Sequence, residues 1–155
     1  MTTHQPTVIT NDNLYDQDFY LWIQTTLAIL RERKLEQLDI ENLIEEIDSM
    51  GRSEKKELKT RLVILIEQLL KLQYWTEEKD YNARDWRNIV VEQRRQIAYT
   101  LADSPSLKGI LNDVFLDCYT DARNDTINKY QLPSTLFPEQ PSFSLIQVLN
   151  ADFMP

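Results

Sequence analysis

The sequence predicts an all-α protein, a single-domain bundle of about five helices closed by a short C-terminal helix. Three observations carry this. Only two glycines occur in 155 residues, too few to supply the positive-φ positions that hairpin turns demand. The abundant Leu, Glu, Lys, Arg and Gln are good helix formers. Apolar residues recur every three to four positions through most of the chain, the spacing of a buried helical face. A hydrophobic content of 42% is that of an ordinary globular chain with a core of its own.

The elements follow in order. Residues 1–13 read as a polar, unpatterned tail, and the helical domain occupies 14–155. A first helix is expected from Asp16 to Arg33, with Phe19, Trp22, Ile23, Leu27 and Leu30 on one buried face and the run "RERK" at the negative end of its dipole. Asp39 suits an N-cap, and Leu38 can staple to Leu43. The second helix then buries Ile40, Leu43, Ile44, Ile47 and Met50. Continued without a break, that stripe would pass through Gly51 and Glu54 and place a gap and a charge in the core. The pattern therefore favours a corner, with Gly51 just past a helix C-terminus and Ser53 capping the next helix. The rival is one long helix in which Gly51 admits a close neighbour.

A third helix, about Glu54 to Thr76, is apolar almost all round in "LVILIEQLLKLQYW" and reads as the hub of the fold. Asn82 can cap a fourth helix that ends by Asp103. Ser104 and Pro105 form a start signal for a fifth helix, which buries Leu107, Ile110, Leu111, Val114, Phe115, Cys118, Tyr119 and Ala122. The stretch "LPSTLFPEQPSF" is irregular. Ser144 and Gln147 have capping-box spacing for a short closing helix.

Lys plus Arg number 17 against 25 for Asp plus Glu, a net charge of −8, which disfavours nonspecific binding to nucleic acid or anionic lipid. Cys118 is the single cysteine, so no internal disulfide forms, and a reducing, cytoplasmic setting fits. The most apolar window is too short and too polar to span a bilayer. The N-terminus lacks the pattern of a signal peptide.

The segments "YDQDFYLWI", "LDIENLIEEIDSMGRSEKKELKTRL", "WRNIVVEQRRQI", "DSPSL", "YTDAR" and "FPEQPSFSLIQVLNADFMP", taken as an ordered set, resemble the domain-of-unknown-function family twenty-nine, a bacterial group frequent in cyanobacteria. The resemblance implies a compact, almost wholly helical domain and implies no activity. Relatives often carry Cys before the proline of the last motif; this chain has Gln140, which removes a thiol or metal role there.

Two constellations could carry chemistry. Glu41, Glu45 and Asp48 fall within about 60° of one another on a helix turning about 100° per residue, a row that could ligate Ca²⁺ or Mg²⁺ or position a hydrolytic water. The plain alternative is a solvated flank. Arg84, Arg87, Arg94 and Arg95 fall within about 100° on the fourth helix, a strip able to grip phosphates or carboxylates, to cover apolar edges, or to pair with the acidic flank. His4, the single histidine, lies in the expected tail, so histidine-dependent triads and most zinc sites are not available. No Gly-rich phosphate loop occurs, and no cofactor is implied.

By elimination the sequence points to a protein-binding or regulatory module without catalysis, its protein partner unidentified and self-association open. The alternatives are a metal-assisted hydrolase using the acidic flank and a nucleic-acid accessory protein using the Arg strip.

Overall fold

A computed structural model describes residues 13–155, so His4 and the expected tail, apart from Asn13, lie outside the described residues. The protein is all-α, and no strand occurs among the described residues. Among these residues six helices follow in order: α1 (Leu14–Gln17), α2 (Phe19–Arg31), α3 (Ile40–Tyr74), α4 (Thr76–Asp103), α5 (Leu107–Tyr130) and α6 (Leu145–Leu149), with a 3₁₀ turn at Leu35–Gln37. The chain divides into two compact units between Arg52 and Ser53.

In the first unit the expected single helix is broken. Asp18 leaves helical geometry at φ −147°, and its carboxylate accepts from the Leu21 backbone N–H, so it caps α2 after the one-turn α1. Tyr15 donates to Glu46, and the Trp22 indole N–H donates to Asp39 at 3.2 Å. Earlier residues on one side thus meet later residues on the other, which makes α2 antiparallel to the start of α3. The rings of Tyr15, Phe19 and Trp22 cluster, with centroids 4.9 to 5.8 Å apart. Asp39 also accepts from the Asn42 N–H, the cap expected at this helix start.

The expected corner at Gly51 is absent. α3 is one helix of 35 residues, and neither glycine has positive φ. The rival, a close crossing, is not seen either, because a Cβ built on Gly51 meets nothing within 4 Å. The premise behind the corner fails for a physical reason. Ile40, Ile44, Ile47 and Met50 are all more than half exposed, so a continuous stripe carries no gap or charge into a core. A glycine inside a helix costs only about 1 kcal/mol relative to alanine. Arg52, one residue past it, reaches back to Glu45 and Asp48. Phe19, Leu27 and Leu30, expected on a buried face of α2, are also exposed, and Trp22 is the residue of that set that is buried.

The second unit is built around the later part of α3, as its all-round apolarity predicts. Every residue from 65 to 72 is buried, and Leu58, Leu62, Leu65, Ile66 and Leu69 join Val90, Ile97, Leu111, Tyr119 and Val148 in one core. The α3–α4 junction is Trp75 alone, so α4 starts at Thr76 and not at Asn82. Asn82 instead bonds back to Glu78 within the helix. α5 starts at Leu107, two residues beyond the expected Pro105. The backbone closes that step as a turn, with the Leu107 N–H on the Ser104 carbonyl at 3.0 Å. α5 ends at Tyr130 and is capped by Gln131, which takes the left-handed conformation with φ 52°. The capping box of Ser144 and Gln147 is present.

Candidate functional site

The four arginines of the expected strip have different surroundings. Arg84, Arg87 and Arg95 are exposed, and Arg95 pairs with Glu92 one turn away. Arg94 is only 8% exposed. Its Nε donates to the Val148 carbonyl at 2.8 Å and its Nη2 to the carbonyls of Phe153 at 2.7 Å and Gln147 at 3.4 Å. Those carbonyls close α6 and the turn after it, so a positive charge meets the negative end of a short helix. Burial pushes the Arg94 pKa down, yet a guanidinium keeps its proton in proteins. Arg123 works the same way on the preceding segment. Its Nε donates to the Phe137 carbonyl at 3.1 Å and its Nη2 to that of Ser134 at 2.5 Å. The Tyr119 hydroxyl donates to the Pro138 carbonyl at 2.6 Å. Carbonyls of the proline-rich stretch are thus satisfied by side chains from α5, and those at the end of α6 by Arg94 from α4.

The acidic flank is occupied from its own helix. Glu45 and Asp48 both pair with Arg52, while Glu41 is exposed to one side. Among the described residues no group of three His, Cys, Asp or Glu side chains is placed to hold a metal ion. Cys118 is fully buried, and burial pushes its thiol up to about 11, which suits packing and not nucleophilic attack.

One polar cluster was not singled out from sequence. Lys71 is 3% exposed on α3, and its ammonium lies 5.0 Å from the Trp86 ring centroid and 5.1 Å from that of Tyr130. It donates to the Tyr130 hydroxyl at 3.4 Å. Trp75 stacks on Trp86 at 5.8 Å and meets Tyr130 at 5.0 Å. Glu67, one turn before Lys71, is instead engaged by Lys129 at 3.0 Å. Burial pushes Lys71 down to about 8, and Lys129 adds to this while Glu67 opposes it. Aromatic faces in place of a bonded carboxylate hold the ammonium. The signal available in sequence is Glu67 and Lys71 four residues apart inside an apolar run that ends at Trp75.

The remaining candidate is apolar. Along α3, Ile40, Ile44, Ile47 and Met50 are 53%, 57%, 61% and 66% exposed, spaced to form one continuous stripe. Leu27 and Leu30 of α2 and Leu35 of the 3₁₀ turn are exposed in the same unit. Residues 14–154 match the sequence model of the family described as domain of unknown function DUF29. The chain belongs to that family. No curated protein and no solved structure matches it, so membership in DUF29 brings no ligand or reaction to any of these groups. No helix among the described residues is long and apolar enough to cross a membrane.

Proposed function

We propose that the protein is a protein-binding module without catalysis of its own, acting through the apolar face of its first unit. The observation that carries this reading is the stripe of Ile40, Ile44, Ile47 and Met50, all more than half exposed. Single exposed hydrophobics are ordinary, but a contiguous row on one helix face marks a surface that another polypeptide covers. Glu41, Glu45 and Asp48 border the row and make an anionic lipid surface an unfavourable occupant. A photo-crosslinking residue at Ile47, activated in the native host, tests the reading. An intermolecular adduct to a polypeptide is expected there and not at the exposed Asp113 of α5. The absence of an intermolecular adduct at Ile47 overturns it.

A further inference from the structure

We infer that the occupant of this face is a second copy of the same chain, the two first units associating into a four-helix arrangement of α2, α3 and their symmetry mates. The inference rests on the protein-binding reading above and names its partner.

The first reason is a core that one copy leaves unfinished. Among the described residues of the first unit, the buried apolar side chains are Leu14 and Trp22, while Leu27, Leu30, Ile40, Ile44, Ile47 and Met50 are exposed. A helical segment of about 40 residues lies at the size where oligomerisation commonly completes a core. The antiparallel pair of α2 and α3 supplies half of a four-helix bundle, and an isologous twofold supplies the other half from the same residues.

The second reason is charge. α3 begins acidic, with Glu41, Glu45, Glu46 and Asp48 against the single cation Arg52, which engages Glu45 and Asp48, so this end of the helix keeps a net negative charge and Glu41 lies outside that pairing. α2 ends basic, with Arg31 at its last position and Arg33 just beyond, both exposed, while Lys34 is engaged by Glu32. The acidic start of α3 in one copy thus complements the basic end of α2 in the other, and twofold symmetry makes that contact twice. Direct α3–α3 pairing centred on Ile44 and Ile47 would instead bring acidic flanks together, so α2 against the partner's α3 is the favoured docking.

Sedimentation of the full chain tests this. The wild type is expected at twice the chain mass, and the double substitution Ile44→Glu, Ile47→Glu at the chain mass with its helical circular dichroism kept. Two charge variants sharpen the test. Arg31→Glu with Arg33→Glu, and Glu41→Lys with Glu45→Lys, are each expected at the chain mass alone and at twice that mass when mixed in equal amounts. A monomeric wild type, a dimer that survives Ile44→Glu with Ile47→Glu, or charge variants that fail to pair on mixing overturns the inference. A monomer whose Ile47 still crosslinks to a different polypeptide removes the second copy but keeps the protein-binding reading. A monomer without an intermolecular adduct removes both.

Discussion

The two units use the same helix differently. From Leu65 to Leu72, α3 is surrounded, and its leucines at 58, 62, 65, 69, 70 and 72 are essentially inaccessible. From Ile40 to Met50 the same helix carries an equally regular apolar stripe that stays largely exposed. Hydrophobic periodicity therefore identifies an apolar helix face without deciding whether the fold encloses it. In the second unit the cover is α4, α5 and α6. In the first unit, α1 and α2 engage the Asp39 and Glu46 side of α3 and leave the isoleucines open.

The largest expected difference between the regions is in stability. Truncating Leu65 or Leu69 to Ala removes fully buried atoms from the hub and should cost about 2 to 5 kcal/mol in urea unfolding. Ile44→Ala should cost less than about 0.5 kcal/mol in dilute protein, rising with protein concentration if copies pair through this face. Similar losses at both places in dilute protein would erase the distinction.

Within α4 the same contrast holds between arginines. Arg94→Gln removes charge-assisted bonds to three carbonyls and leaves buried acceptors unpaired, which should cost about 2 kcal/mol or more. It should also speed proteolysis near α6. Arg87→Gln, on an exposed side chain, should stay within about 0.5 kcal/mol. Equal effects would mean that Arg94 is not the anchor of the C-terminal segment.

Lys71 gives the second unit a pH signature. Its pKa falls from the ordinary 10.5 to about 8 on folding, so between those values the unfolded chain binds more protons and stability rises with pH. Cys118, raised from 9.0 to about 11, acts in the opposite direction above pH 9, where the unfolded thiol ionises first. The clean window is pH 8 to 9, where Lys71 should add about 1 kcal/mol. Urea titrations of wild type and Lys71→Met in that window check it, and the rise should vanish in the variant.

The smallest effect is expected at the boundary between the two regions. Gly51 lies in ordinary helical backbone with open space around it. Gly51→Ala should therefore raise stability by about 0.5 to 1 kcal/mol. A fall in melting temperature would show that the backbone there needs a glycine.

Local chemistry was sufficient for the helical class, the surrounded run from Leu62, the Asp39 cap, the end of α4 at Asp103 and the Ser144–Gln147 capping box. Each depends on residues within a few positions of one another, whose propensities and hydrogen bonds act before any distant contact forms. Signals that rest on one polar residue misplaced two helix starts. Asn82 and Ser104 each have a capping side chain, but Trp75 turns the chain in one residue and a backbone turn delays α5 to Leu107. The candidate site was least legible, because its parts are ordinary on a helical wheel. Arg84, Arg87, Arg94 and Arg95 look alike there, and only α6, some fifty residues later in the chain, sets Arg94 apart. Lys71 became an aromatic-held cation only when Tyr130 arrived from α5.

The sequence by itself determined where the chain is helical and which stripes are apolar, since both follow from backbone propensity and a fixed 3.6-residue period. Tertiary structure alone decided which stripe is enclosed, which arginine is spent on backbone carbonyls, and whether Gly51 turns the chain or lies within a helix. Those outcomes depend on which distant surfaces come into contact, and no local spacing encodes that.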